Sequence, residues 1–136
     1  MIWMLDTDIL IHFINRKENF DRIARRMSGR SPGELRSSAI TLAELRFGIE
    51  KGQFRSENRK ALAELLEFLQ VDDFPSGAAH DFAQIKVALS ARGRPIGPYD
   101  LLIAAHARHL GAVLVTNNER EFRRVPALSV QNWLKA

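Results

Sequence analysis

Acidic residues in this sequence follow short apolar runs, where burial would make a carboxylate costly. Asp6 comes directly after IWML, Glu44 follows LRSSAI by one helical turn, and Asp100 lies just after Pro98 at the head of an apolar helix. Burying a carboxylate is unfavourable unless it is paired or bound to a metal. Oxygen ligands suit a hard divalent cation, so these three residues are candidate ligands of magnesium or manganese.

Asp100 has two interpretations from its helix alone. At 100° per residue it shares a face with Ile103, Ala104 and Ala107, which indicates that it looks partly inward. An acid in the first turn after Pro98 also favours the positive end of the helix dipole. The local sequence leaves both interpretations open.

The other polar candidates also have local explanations. Asp8 could cap the helix that follows it. Thr41 and Glu44 have the spacing of a capping box. Asn118 follows an apolar strand run and is a common turn residue. Asp6 is harder to explain locally, because it closes a strand that is expected to be buried.

Several kinds of active site are excluded. The chain contains no cysteine, which rules out a thiolate metal site, a disulfide and a catalytic thiol. The four histidines (His12, His80, His106 and His109) do not have the spacing of helical metal ligands, so zinc is disfavoured. A nucleophile elbow, a Walker loop and a dinucleotide fingerprint are all absent from the sequence.

Alternating strand and helix patterns must position these residues. We predict strands over IWML, LRSSAI, VDDF, AVLVT and ALSVQNW, and helices over the segments between them. This alternation predicts an α/β fold with a central parallel sheet of four to five strands flanked by helices on both faces. Ligands of such sheets bind beyond the carboxyl ends of the strands, where Asp6, Glu44, Asp100 and Asn118 would meet.

Length and composition indicate one globular domain over residues 1–136. The chain is 46% hydrophobic and 26% charged, with a net charge of +4. Arginines cluster at Arg22, Arg25, Arg26 and Arg30, which suits a polyanionic partner or a solvated helix face. The first residues lack a basic leader and place acids inside the apolar run, so we expect a cytoplasmic protein without a signal peptide or membrane span.

Four ordered blocks carry a resemblance that extends over essentially the whole chain: MLDTDILI, SAITLAELRFGIEKG, GPYDLLIAAHA and LVTNNEREF. Together they resemble the PIN-domain ribonucleases and, more narrowly, the VapC toxins of VapBC toxin–antitoxin systems. The resemblance implies a parallel sheet between helices and an acidic cluster that binds Mg²⁺, with Mn²⁺ as a substitute. It assigns Asp6, Glu44 and Asp100 as catalytic residues and metal ligands.

The family's fourth acidic position falls on Asn118, which we expect among the catalytic residues. An amide adds no charge, so the number of metal ions, one or two, stays open. Glu121 resembles a later acid of the same motif, although a surface helix position explains it equally well. Thr7 and Thr116 resemble hydroxyl groups that orient the carboxylates.

The resemblance also implies an activity and partners. The expected function is a Mg²⁺-dependent endoribonuclease toxin that hydrolyses RNA, with tRNA as the expected substrate, leaves 5′-phosphate ends and inhibits translation. A homodimer, a VapB-like antitoxin, and contact with operator DNA only through that antitoxin are expected. The apolar faces of FDRIARRM and of residues 56–69 are candidate antitoxin grooves, and core packing is the competing explanation for both.

Two other functions compete with this one. LDTD supplies the Asp-x-Asp of a haloacid-dehalogenase-like phosphatase, but Leu10 and the short chain argue against that class. A catalytically silent binding module is the second alternative, because Asn118 stands at an acidic position.

Overall fold

The structure is a computed structural model that describes residues 1–15, 20–31 and 33–135. In these ranges the strands are β1 (Trp3–Leu5), β2 (Leu35–Ser38), β3 (Gln70–Asp72), β4 (Val113–Val115) and β5 (Ser129–Gln131). The helices are α1 (Thr7–Ile14), α2 (Phe20–Met27), α3 (Ala39–Lys51), α4 (Arg55–Leu65), α5 (Ala78–Ala91), α6 (Pro98–Leu110) and α7 (Glu119–Phe122). None of these helices is long and apolar enough to cross a membrane.

The five strands form one parallel sheet in the order β3-β2-β1-β4-β5. Strand β1 lies at the centre, with Trp3 opposite Leu35 on one side and Val113 on the other. Because all strands run the same way, their carboxyl ends share one edge of the sheet. The predicted parallel sheet is confirmed, and its two outermost strands are β3 and β5.

Helices cover both faces of the sheet, as predicted. Successive side chains of a strand point to opposite faces. Met4 and Leu114 accordingly pack in a core with Ile85 of α5, whereas Leu5 and Val115 belong to a second core shared with α1, α2 and α4. The apolar strands are buried on both sides, which explains their continuous hydrophobic runs.

The start of α3 differs from the prediction. Ala39 and Ile40, which were assigned to a strand, begin the helix, and Ser38 is its N-cap, accepting a hydrogen bond from the Ile40 N–H at 3.1 Å. The predicted capping box of Thr41 and Glu44 is therefore wrong. Ser38 already supplies the cap, and this leaves the Glu44 side chain for another role.

Helix α6 is buried on more than the face that the wheel indicated. It begins with Pro98 and ends at Gly111, whose φ of 66° closes the helix in the left-handed conformation. His106, which points away from the Asp100 face, is nonetheless fully buried. Contacts with α5 and with the sheet enclose α6, and His106 Nδ1 lies 2.8 Å from the Ser38 hydroxyl.

Candidate active site

The predicted site residues lie together at the carboxyl edge of the sheet. Asp6 ends β1, Glu44 lies in the second turn of α3, Asp100 lies in the first turn of α6, and Asn118 follows β4. With Asp8 they line one cleft of about 270 Å³. The topology therefore brings residues from four separate segments to a single cavity.

Asp6 is held by hydrogen bonds from two directions. Its side chain is 3% exposed. One carboxylate oxygen accepts from the Thr7 backbone N–H at 2.8 Å, and the other accepts from the Thr116 hydroxyl at 2.8 Å. The first contact makes Asp6 the N-cap of α1. The second ties it to the end of the neighbouring strand, so the carboxylate has a fixed orientation.

Asp8 lines the cleft, although its sequence position favoured a helix cap over a site role. The predicted cap role is wrong, because Asp6 occupies the N-cap position of α1. Instead, Asp8 accepts a hydrogen bond from the Asn117 backbone N–H at 3.2 Å and lies 3.4 Å from the Thr116 hydroxyl. Two acids spaced two residues apart after a central strand could have indicated that both face this edge.

The two threonines contact the carboxylates that they were expected to orient. The Thr7 hydroxyl donates to Glu44 Oε1 at 2.7 Å, and the Thr116 hydroxyl donates to Asp6. The Asn118 backbone N–H in turn donates to the Thr116 hydroxyl at 3.0 Å. These contacts link α1 to α3 and β1 to β4 at the point where the acids meet.

Glu121 contacts the predicted site through Asn118. The amide nitrogen of Asn118 donates to Glu121 Oε2 at 3.0 Å, within the first turn of α7. Glu121 is not among the residues that line the cleft. Its negative charge nevertheless contributes to raising the pKa of Asp100. Glu121 therefore lies beside the cleft and fixes the orientation of the Asn118 amide.

Burial and nearby negative charges make the carboxyl groups of Asp6 and Asp100 hard to ionise. Burial, with the charge of Asp8, raises the pKa of Asp6 to about 7. Burial and the charges of Glu44, Glu121 and Asp8 raise the pKa of Asp100 to about 6. Within the described residues, no lysine or arginine forms an ion pair with an acid lining the cleft. The cleft therefore carries negative charge that the described side chains do not neutralise.

The donor set suits a hard divalent cation. The cleft offers carboxylate and amide oxygens, the ligands that Mg²⁺ and Mn²⁺ prefer. Among the residues that the structure describes, no three Asp, Glu or His side chains are placed to hold one ion together. Magnesium usually binds through one or two carboxylates and keeps water or phosphate oxygens as its other ligands. The residues fit that mode of binding and do not form a closed protein cage.

Comparison with known proteins identifies sequences that are related to this chain. Residues 3–128 match the family model described as PIN domain. The chain is 43% identical over 133 residues to Ribonuclease VapC2 of Haemophilus influenzae, covering 97% of this chain and 98% of the relative. It is 38% identical over 131 residues to the tRNA(fMet)-specific endonuclease VapC of Shigella flexneri, covering 96% and 97% of the two chains.

A solved structure has the same fold. The crystal structure of VapBC2 from Rickettsia felis, bound to a DNA fragment from their promoter, contains a chain that superposes with a TM-score of 0.87. That chain is 34% identical, and the alignment covers 98% of this chain and 99% of the other.

Proposed function

The chain belongs to the PIN-domain family, among its VapC ribonucleases, and on that premise we propose that it is a Mg²⁺-dependent endoribonuclease that acts as a toxin. It would hydrolyse phosphodiester bonds of RNA and thereby inhibit translation. One observation carries the proposal: the cleft collects Asp6, Asp8, Glu44 and Asp100 without a lysine or arginine partner among the described residues. Such a cleft needs a cation, and a phosphodiester substrate benefits from one.

The three acids predicted from the sequence, Asn118 and Thr7 each have a proposed role in the cleft. Two of the acids Asp6, Asp100 and Glu44 would bind the ion directly and the third through a bound water molecule, and Asn118 would add an uncharged oxygen or hold a water molecule. Thr7 fixes one oxygen of Glu44 and leaves the other available to the cleft. When bound, Mg²⁺, or Mn²⁺ in its place, neutralises phosphate charge and lowers the pKa of water, which favours hydrolysis to a 5′-phosphate and a 3′-hydroxyl.

Structured RNA, with tRNA first among the candidates, is the proposed substrate class. The relative from Shigella flexneri is named a tRNA(fMet)-specific endonuclease and shares most of this chain's length. Unpaired loops supply nucleotides that can be splayed out of their stack and bound individually. The net charge of +4 favours approach to a polyanion. We propose that the protein cleaves this RNA in the cytoplasm.

We also propose a homodimer that is inhibited by a VapB-like antitoxin, with operator DNA contacted only through the antitoxin. The VapBC2 structure supports such a partner. An apolar groove of about 440 Å³ between Phe13, Ala24, Met27 and Phe68 is the proposed antitoxin site. Ile23 of α2 and Leu62 and Leu65 of α4 pack inside the core, so core packing explains that part of the two faces predicted as grooves.

The test is RNA cleavage by purified protein. We expect wild-type protein to cleave tRNA with Mg²⁺ and to lose the activity in EDTA, because the cleft acids act through the ion. Asp100→Asn should reduce cleavage by about 100- to 1,000-fold, since it removes a ligand and a charge. Asp21→Asn, at an exposed acid on α2, is the matched control and should cleave like wild type.

Three results would contradict the proposal. An Asp100→Asn variant that still cleaves RNA and arrests growth would remove Asp100 from the mechanism. Hydrolysis of p-nitrophenyl phosphate without RNA cleavage would favour the phosphatase alternative. Folded wild-type protein with neither activity would favour the silent binding module.

A further inference from the structure

An apolar recess opens beside the acidic cleft. It has a volume of about 620 Å³ and lies between α1, α3 and the start of α6, where its large apolar lining residues are Ile11, Ile40, Phe47 and Tyr99. The recess and the cleft share Thr7, Ile11 and Glu44 as lining residues. The two cavities are therefore adjacent, and an extended ligand can occupy both.

Two aromatic rings in the recess are unusually exposed. Phe47 is 67% exposed and Tyr99 is 59% exposed. Phe47 follows Glu44 by three residues on α3, and Tyr99 immediately precedes Asp100 on α6. Both rings therefore lie on the helices that present acids to the cleft. Exposed aromatic side chains that line a common cavity typically mark a binding surface.

The charges around the recess favour a nucleotide as its occupant. Lys51 lines it, with Nζ 5.1 Å from the centre of the Phe47 ring. This ammonium group lies two helical turns from Glu44, so it can meet a phosphate that neighbours the one in the acidic cleft. The walls are mainly apolar, which suits the flat face of a base, because stacking requires no specific hydrogen-bond partner.

We propose that this recess binds an unstacked base of the RNA, one nucleotide or two away from the scissile phosphate, with Phe47 and Tyr99 as its stacking surfaces. The inference rests on the proposed ribonuclease function and adds a determinant of substrate choice. A base can enter the recess only when it has left its own stack. The enzyme therefore selects loops over duplexes, and stacking alone makes this subsite tolerant of base identity.

The experiment uses Phe47→Leu, Tyr99→Leu and the double variant, which keep apolar side chains but remove the rings. Cleavage of an RNA hairpin is measured in the presence of Mg²⁺. The second measurement is the quenching of 2-aminopurine fluorescence, with this base analogue placed in the RNA next to the cleaved bond. We expect KM to rise about tenfold for each ring lost while kcat changes less than about threefold. Quenching should fall in parallel, and Tyr99→Phe should restore both values.

Phe54→Leu is the matched control, because Phe54 is 61% exposed and is not among the residues that line the recess or the cleft. The inference is wrong if the double variant retains wild-type KM and quenching. It is also wrong if the double variant becomes monomeric, since a second copy of the chain would then cover the rings. Loss of antitoxin binding alone would contradict it as well, since the antitoxin would then cover them. Wild-type protein that quenches 2-aminopurine through Phe47 and Tyr99 without cleaving would contradict the proposed function alone.

Discussion

At the scale of single residues, Asp6 combines burial with a carboxyl group that the surroundings do not neutralise. Its pKa of about 7 in the folded protein exceeds the ordinary value of 3.8. Between these values the folded state binds more protons than the unfolded state, so stability falls as pH rises. This unfavourable burial is what a bound cation would offset.

We predict that Asp6→Asn makes the metal-free protein more stable at pH 8, by about 2 kcal/mol, because the variant removes a buried charge. The gain should shrink towards pH 4, where the wild-type carboxyl group is protonated. Urea denaturation at several pH values in EDTA measures the effect, with Asp21→Asn as control. A variant less stable than wild type at pH 8 would show that Asp6 stabilises the fold as an anion.

The contact between Thr7 and Glu44 gives a second prediction. Thr7→Val keeps the shape of the side chain and removes the hydroxyl that donates to Glu44 at 2.7 Å. We expect kcat for RNA cleavage to fall about 10- to 100-fold with little change in melting temperature, as for other groups that orient metal ligands. Thr7→Ser should retain most of the activity, and equal rates for valine and threonine would exclude an orienting role.

At the scale of secondary structure elements, the start of α3 depends on one serine with two contacts. The Ser38 hydroxyl accepts from the Ile40 N–H and lies against His106 Nδ1 of α6. Burial lowers the pKa of His106, so the imidazole is neutral at pH 7. Its Nδ1 atom is hydrogen-bonded to the Ser38 hydroxyl. Ser38 thereby joins the helix that carries Glu44 to the helix that carries Asp100.

Ser38→Ala should therefore lower the free energy of unfolding by about 2 kcal/mol, because it removes a helix cap and leaves a buried nitrogen without its partner. Thermal and urea denaturation measure this loss. Ser90→Ala, at an exposed position of α5, should change stability by less than about 0.5 kcal/mol. Equal melting temperatures for Ser38→Ala and wild type would show that the cap contributes little.

The sequence predicted these elements better than their junctions. Hydrophobic periodicity and strand–helix alternation gave the sheet and its helices because both depend on local spacing. The burial of His106 and the position of Asp8 depend on contacts across the fold, whereas the start of α3 depends on the local cap by Ser38. His106 and Ser38 are 68 residues apart, and Asp8 and Asn117 are 109 apart. No local pattern encodes such contacts.

At the scale of the whole molecule, one group of positive charges lies apart from the acidic cleft. Arg25 and Arg26 lie with Lys135 in a basic cavity that does not share a lining residue with the cleft. Two neighbouring arginines have structural contacts: Arg22 donates to the Leu134 carbonyl, and Arg30 stacks on Trp3 and Trp133. The arginine cluster, for which the sequence left a polyanionic partner and a solvated helix face both open, is thus partly structural.

The central claim is that the acids of the cleft bind the divalent ion that RNA cleavage requires. The most direct measurement is a titration with Mn²⁺ in which binding is monitored by calorimetry and by electron paramagnetic resonance. It compares wild type with the double variant that carries both Asp6→Asn and Asp100→Asn. We predict that wild type binds Mn²⁺ over the same concentration range that activates cleavage, and that the folded double variant neither binds nor cleaves. Unchanged Mn²⁺ binding in that variant, or RNA cleavage by wild type in EDTA, would contradict the claim.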